Sequence, residues 1–262
     1  MVPGKGWVRF GEGIEKAQGL AVDRQGNVFV AADSGRKIVR LDAQGNSTVF
    51  KNLTHACRGM AFGPDGRLYA CESDEGRIVA FTADGRESVV ASARHPQELV
   101  VDRRGGVYFT ALADLRVWFA DADGCMPVIQ EGIGGGSGLQ LLASGSLLAI
   151  ADAAGRWVWS FRTRLDGSLR NGQPFYRLET TDEHSTTGAW GMAVDSDGFL
   201  YVTTELGIQV CDQEGRTAFI IANPPAGQVT HLDFGGPDGR TLLATAGGKL
   251  FSRPVRRKRV GS

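Results

Sequence analysis

A carboxylate and an imidazole, Glu98 and His231, are the side chains with the most evident chemical potential in this sequence. These two groups often serve as acid and base near neutral pH. Five further residues could bind a substrate through an amide, hydroxyl, guanidinium or indole group: Gln18, Arg58, Gln97, Ser137 and Trp190. Amides and hydroxyls can stabilise a developing oxyanion, while the indole offers an apolar face. All seven residues lie at or beside the start of an internal repeat. The fold that the repeats form therefore determines whether these side chains lie close together.

The repeat has six copies, whose opening segments begin at residues 18, 58, 97, 137, 190 and 230. Each copy starts with a short apolar strand and a turn of the Asp-Gly type, such as residues 195–198, before a second apolar strand. A loop, a third strand and another turn follow in the same order. Asp-Gly and Asn-Gly turns between β-branched and aromatic runs indicate hairpins. Four strands in roughly 40 residues are typical of a propeller blade.

We therefore predict an all-β fold, a six-bladed β-propeller of four-stranded antiparallel blades that occupies residues 1–262 as a single domain. The last repeat ends after its third strand, residues 249–253. Residues 6–10 precede the first strand of blade one, so we expect them to supply the missing outer strand and close the ring. The fourth repeat is the longest, with additional residues within 162–184. Part of this insertion should overhang the channel.

The first strand of each blade should line the central channel, which places the repeat openings at one end. The seven candidate residues and Thr230 then share that end, and all four histidines (His55, His95, His184 and His231) lie close to it. His231 is the favoured functional histidine, because it takes a place that glycine holds in four other blades. For the other three, simple accumulation of polar residues on loops explains the pattern equally well. The alternative for Trp190 is a plug that fills the channel.

Charge and composition exclude several partners. Lys and Arg number 29, as do Asp and Glu, so no net field favours nucleic acid or an anionic membrane. No apolar stretch has signal-peptide or membrane-spanning length. The four cysteines form no C-x-x-C pair, which favours reduced thiols and a cytoplasmic protein. We expect the basic residues 253–259 to be a solvated end. A small-molecule substrate is the predicted partner, and a fused or neighbouring domain stays open.

The chain resembles the gluconolactonase, regucalcin and luciferin-regenerating-enzyme family. The resemblance covers essentially the whole length and rests on residues 191–195 (GMAVD), 107–110 (VYFT), 206–210 (LGIQV) and 234–242 (FGGPDGRTL). It implies a six-bladed propeller with one divalent metal in the channel, commonly calcium or zinc. The metal would polarise a lactone carbonyl while an Asp helps to activate water.

The ligands that the resemblance implies are replaced in this sequence. Gln18 takes the place of a blade-one Glu, Gln97 and Ser137 take the places of Asn, and Trp190 takes that of Asp. His231 likewise replaces an Asn in the last blade, and Arg58 stands where blade two often has Asp. Hard dications need carboxylate and carbonyl oxygens. We therefore predict neither a metal nor another cofactor.

Three hypotheses follow, of which we prefer the first and rank the other two equally. The first is a metal-independent enzyme in which Glu98 and His231 form the acid/base pair for hydrolysis, cyclisation, isomerisation or elimination. Its substrate would bind against Trp190 and be steered by Arg58. The second is a lactone hydrolase with an atypical metal site, for example zinc on Glu98 and His231. The third is a non-catalytic propeller that binds a ligand or a partner domain.

Overall fold

Six four-stranded antiparallel sheets make up the fold in a computed structural model, which describes residues 2, 4–111, 116–121, 124–129, 133 and 136–260. Blade one comprises β2 (Gly19–Val22), β3 (Val28–Ala32), β4 (Lys37–Leu41) and β5 (Ser47–Asn52). Blade two comprises β6 (Met60–Phe62), β7 (Leu68–Glu72), β8 (Arg77–Phe81) and β9 (Glu87–Ser92). Blade three comprises β10 (Pro96–Val101), β11 (Val107–Ala111), β12 (Arg116–Asp121) and β13 (Gly124–Ile129).

The remaining blades continue in the same order, which confirms the predicted propeller. Blade four comprises β14 (Gly136–Leu142), β15 (Leu147–Asp152), β16 (Trp157–Thr163) and β17 (Leu169–Arg177). Blade five comprises β18 (Met192–Val194), β19 (Leu200–Thr204), β20 (Gly207–Cys211) and β21 (Thr217–Ile221). Blade six comprises β22 (Val229–Gly235), β23 (Thr241–Ala246), β24 (Lys249–Pro254) and the N-terminal β1 (Val8–Arg9). One short 3₁₀ turn, Ala143–Gly145, links β14 to β15.

The ring closes through the N-terminal segment, as predicted. Strand β1 pairs antiparallel with β24, so that Val8 lies opposite Ser252 and Arg9 opposite Phe251. The indole of Trp7 anchors this segment further by donating a hydrogen bond of 2.7 Å to the main-chain oxygen of Ala222. The first and last parts of the chain therefore share one blade.

Burial decreases from the axis outwards, which explains why the inner strands hold their positions. The second strand of blade one, β3, is buried at every residue, whereas most residues of its outer strand β5 are exposed. Apolar side chains of adjacent blades pack against each other, as Phe29 of blade one does with Phe62 of blade two, whose ring centres are 5.0 Å apart. This packing fixes the six first strands around the channel.

The basic C-terminal segment is not a solvated end, so that prediction was wrong. The N–H of Ser196 donates to the main-chain oxygen of Lys258 (2.8 Å), and the N–H of Arg259 donates to that of Gly239 (2.9 Å). The guanidinium of Arg259 donates to the main-chain oxygen of Val22 (2.8 Å). The turns after the first strands leave main-chain groups unpaired, and the segment satisfies them.

No helix in the described ranges is long and apolar enough to cross a lipid bilayer.

Candidate functional site

The six channel-lining strands bring Gly19, Gly59, Glu98, Gly138, Gly191 and His231 to corresponding positions. The glycines are needed because the next blade passes too close for a side chain. A Cβ atom at Gly19 would lie 2.0 Å from the main-chain oxygen of Arg58, and one at Gly138 would lie 1.8 Å from that of Trp190. Such contacts are impossible, so a side chain fits here only where the strand leaves its regular path.

Strands β10 and β22 leave that path through β-bulges, as does β14 beside Gly138. The pairing registers of β10 and β22 shift between Pro96 and Leu99 and between Val229 and His231. Threonine hydroxyls on the second strands satisfy the displaced backbone: the N–H of Glu98 donates to Thr110 and that of His231 to Thr245, each at 3.2 Å. Bulges re-aim side chains. Glu98 and His231 lie within such bulges and contact each other across the channel, whereas the bulge of β14 keeps a glycine at this position.

Glu98 and His231 meet across the channel, from blades three and six. His231 Nε2 lies 2.5 Å from Glu98 Oε1. The two side chains are 14% and 13% exposed, so the bond is largely shielded from water. Neither side chain forms an ion pair with a Lys or Arg in the described part of the chain. The structure thus brings together the two residues that the sequence proposed as an acid/base pair.

The second nitrogen of His231 contacts two threonine hydroxyls that the sequence analysis did not single out as a group. Nδ1 lies 3.2 Å from Thr230 Oγ1 and 3.4 Å from Thr245 Oγ1. The two hydroxyl oxygens are 2.9 Å apart. A carboxylate can only accept hydrogen bonds, so Nε2 carries the proton shared with Glu98. In the neutral imidazole, Nδ1 is then a bare acceptor that faces hydroxyl groups.

A cavity of about 530 Å³ extends along the channel from this pair. Glu98 and His231 border it at the end where the first strands begin, and Ser196, Arg259 and Val260 border it at the other end. Arg58 and Trp190 do not border it. The pair therefore stands between the cavity and the channel mouth that carries the repeat openings.

Two further carboxylates border the cavity, Asp195 and Asp233. Burial raises the pKa of both, an effect that the guanidinium groups of Arg257 and Arg259, respectively, oppose. Both accept main-chain N–H groups: Asp195 caps the turn that follows it, and Asp233 accepts the N–H of Val22 from the adjacent blade at 3.1 Å. Asp195 Oδ1 thus holds a turn, and Asp233 links two adjacent blades.

The five predicted binding residues divide into two groups. Gln97 and Ser137 are buried, and their donors already have protein acceptors: the Gln97 amide donates to Ser73 Oγ (2.9 Å), and the Ser137 hydroxyl donates to the main-chain oxygen of Ala189 (2.5 Å). In contrast, three side chains make no hydrogen bond to any described residue, namely those of Gln18, Arg58 and Trp190. Arg58 is exposed, and Gln18 and Trp190 are half-buried. The second group is available to a ligand.

The other three histidines have local partners near the same end. His55 Nδ1 lies 2.9 Å from Glu75, and His184 Nδ1 lies 3.0 Å from Glu205. His95 Nδ1 contacts the main-chain oxygen of Ser73 at 3.1 Å. None of them borders the cavity. His231 is thus distinguished by its place inside the channel.

Buried thiols lie close to the pair but are chemically inert. Burial raises the pKa of Cys57 to about 12 and that of Cys71 well above its ordinary value, and the carboxylate of Glu98 adds to the shift of Cys71. The thiolate is the reactive form of cysteine. These residues therefore serve packing.

The donor set at the channel does not fit a divalent metal. The described residues include no group of three or more His, Cys, Asp or Glu side chains arranged to hold one. Glu98 and His231 use their facing atoms on each other. The amide of Gln97 and the hydroxyl of Ser137 are committed to protein acceptors. Calcium requires six to eight oxygen ligands, and zinc sites need at least three protein ligands.

The fold and the site define a closed six-bladed propeller in which a carboxylate and an imidazole meet inside one end of the channel. The chain belongs to the SMP-30/Gluconolactonase/LRE-like family, whose sequence model matches residues 54–248. This confirms the resemblance. A gluconolactonase from Zymomonas mobilis is 25% identical over 278 residues, covering 89% of this chain and 76% of that protein.

Solved structures share the fold. A gluconolactonase from Xanthomonas campestris superimposes with a TM-score of 0.81 at 20% identity, over 96% of this chain and 90% of that one. A regucalcin from Agrobacterium tumefaciens, described as a calcium-binding protein, has a TM-score of 0.75 at 16% identity, over 97% and 95% of the two chains. At such identities the similarity shows the fold.

Proposed function

We propose that the protein is a lactonase-type hydrolase that cleaves a small cyclic or linear ester with Glu98 and His231 as its acid/base pair, without a divalent metal. The observation that carries the proposal is the 2.5 Å contact between His231 Nε2 and Glu98 Oε1 inside the channel. Membership of a family with gluconolactonases favours hydrolysis over the cyclisation, isomerisation or elimination that the same groups could serve.

The arrangement supports a defined division of labour. Glu98 accepts the Nε2 proton, which fixes the orientation of the imidazole and stabilises the imidazolium that forms when Nδ1 takes up a proton. Nδ1 removes a proton from the attacking hydroxyl and returns it to the leaving alkoxide oxygen. The acid/base pair supplies both proton transfers, and no metal-bound water is required.

The channel mouth offers groups for substrate binding. Arg58 and Trp190 lie just before the first strands of blades two and five, and Gln18 lies just before that of blade one. A guanidinium can bind a carboxylate or carbonyl oxygen of the substrate, and an indole can pack against its apolar face. These assignments favour a neutral or anionic ester with some apolar surface.

The test is turnover of a panel of γ-lactones, δ-lactones and aryl esters by protein dialysed against EDTA. We expect the chelator to leave turnover unchanged, and Glu98→Gln to lower kcat/KM about 100- to 10,000-fold. Glu205→Gln is the matched control, because Glu205 forms an exposed His–Glu pair with His184 near the same end. It should keep full activity.

Two results would overturn the proposal. Activity that disappears with EDTA and returns with zinc or calcium would favour a metal hydrolase. Absence of turnover for every lactone and ester, with or without added metal, would favour a binding propeller.

A further inference from the structure

We infer that Thr230 is the nucleophile of this site, so that Thr230, His231 and Glu98 form a hydrolytic triad that passes through an acyl-threonine ester. The inference rests on the proposed function and names its reacting atom. The geometry is a continuous chain: Thr230 Oγ1 lies 3.2 Å from His231 Nδ1, and His231 Nε2 lies 2.5 Å from Glu98 Oε1. A nucleophile, a base and a group that orients the base are the elements of such a triad.

Hydrogen-bond directions along this chain are consistent. Thr245 Oγ1 accepts the main-chain N–H of His231. Its own proton is then free to point at Thr230 Oγ1, 2.9 Å away. Thr230 can in turn direct its proton to the bare Nδ1 of His231, whose Nε2–H is held by Glu98. Each hydroxyl thus has a donor role and an acceptor role, and the Thr230 proton is aimed at the base.

Thr230 is also the hydroxyl that a substrate can reach. It is exposed, at the position just before His231. Thr245 is completely buried, and the buried hydroxyl of Ser137 donates to a main-chain oxygen. The two nearby thiols are buried and protonated. Among the described hydroxyl and thiol groups around the pair, Thr230 alone combines exposure with contact to the base.

The reaction needs only the ester and water. Thr230 Oγ1 bonds to the ester carbonyl carbon, its proton moves to His231 Nδ1, and the bond from carbon to the alkoxy oxygen breaks. The departing oxygen takes the proton from Nδ1. Water then gives a proton to Nδ1 and bonds to the acyl carbon, the bond from that carbon to Thr230 Oγ1 breaks, and Oγ1 takes the proton from Nδ1 as the acid is released. In a lactone, the departing hydroxyl stays attached to the acyl group.

A purely structural role for Thr230 must be distinguished, because its hydroxyl also lies 3.3 Å from the main-chain oxygen of Thr245. The experiment combines a covalent probe with kinetics. A β-lactone acylates a nucleophilic hydroxyl by ring opening, so the whole probe mass stays on the protein. We expect one adduct per chain, on the peptide that contains Thr230, and no adduct in His231→Gln.

Kinetics on the same esters complete the test. Thr230→Val should lower kcat about 1,000-fold or more, because water must then attack directly. Thr230→Ser should keep activity within about tenfold, since it keeps the hydroxyl. Thr48→Val, on an exposed outer strand, is the control and should behave like the wild type.

The outcomes separate this inference from the proposed function. If the wild type hydrolyses esters while Thr230→Val keeps its rate and no adduct forms, the triad is wrong and the acid/base pair acts on water. If the wild type neither turns over an ester nor takes up the probe, both are wrong.

Discussion

The two ends of the channel differ in whether their arginine side chains have protein partners. At one end, residues 255–260 lie over the turns that follow the first strands, and the guanidinium groups of Arg257 and Arg259 have protein partners. Arg257 contacts Asp197 at 2.8 Å, lies 3.6 Å from Asp195 and stacks 3.5 Å above the ring centre of Phe199. At the other end, Arg58 has no polar partner among the described residues.

We call these the tail end and the pair end, the latter defined by Glu98 and His231. This difference indicates where a ligand can bind. A side chain whose hydrogen bonds are made within the protein contributes to stability. A side chain that is hydrogen-bonded only to water can exchange that water for a ligand. Substitutions at the two ends should therefore separate activity from stability.

The largest expected effect lies at the pair end. His231→Ala should lower kcat/KM about 1,000-fold or more, because it removes the base. Unfolding free energy should fall by only about 1–2 kcal/mol, the cost of leaving Glu98 without its partner. Ester kinetics and thermal unfolding measure the two effects. The control is His184→Ala, which breaks an exposed His–Glu pair and should change neither. Equal losses of activity in both variants would contradict the comparison.

At the tail end, the expected effect is on stability. Asp195→Ala should destabilise the fold by roughly 2–3 kcal/mol, because Asp195 Oδ1 accepts the N–H groups of Asp197 and Phe199 at 2.9 and 3.0 Å in a buried site. Ester turnover at a temperature well below unfolding should stay at the wild-type rate. Asp197→Ala removes an exposed partner of Arg257 and should cost less than about 1 kcal/mol. A large loss of turnover in Asp195→Ala would place chemistry at this end.

Arg58→Ala tests the contrast between Arg58, which has no described protein partner, and Arg257, which has several. It should raise KM about tenfold for an anionic ester with little change in kcat, because a charge-assisted hydrogen bond to substrate is lost. Thermal unfolding should not change, since the guanidinium has no described protein partner. The control Arg40→Ala alters an exposed residue of β4 and should leave KM unchanged. A clear drop in melting temperature for Arg58→Ala would show that Arg58 stabilises the fold.

The smallest expected effect is the change in melting temperature when a divalent metal is added or removed. Millimolar calcium, or EDTA, should shift the melting temperature by less than about 1 °C, because only a ligand that binds the native state stabilises it by mass action. The donor set of the described residues offers no site for such binding. A rise of many degrees with calcium would overturn our interpretation of Gln18 and Trp190.

The fold could be predicted because the repeat signals act locally and six times over. Asp-Gly turns and apolar runs specify each blade, and the incomplete last blade identifies the closing strand. The meeting of Glu98 with His231 also followed, since corresponding positions on opposite blades face one channel. Their direct hydrogen bond could not be predicted, because it depends on side-chain directions and on the local backbone path, which includes a bulge in each strand.

The features that the sequence analysis did not predict depend on contacts between distant parts of the chain. The basic tail was predicted to be solvated because its partners come from other parts of the chain, and one of them, Val22, lies 237 positions from Arg259. The commitment of Gln97 and Ser137 to protein acceptors likewise follows from side-chain directions that composition cannot supply. Thr230 has no signal of its own beyond its position next to His231.

The wide separation of Glu98 and His231 along the chain, 133 positions, has a consequence for biosynthesis. A nascent chain that has emerged as far as its fifth blade holds Glu98 but lacks His231. The two residues can meet only after blade six, which carries His231, has been synthesised and has folded against the ring. Partly synthesised chains therefore lack the Glu98–His231 contact.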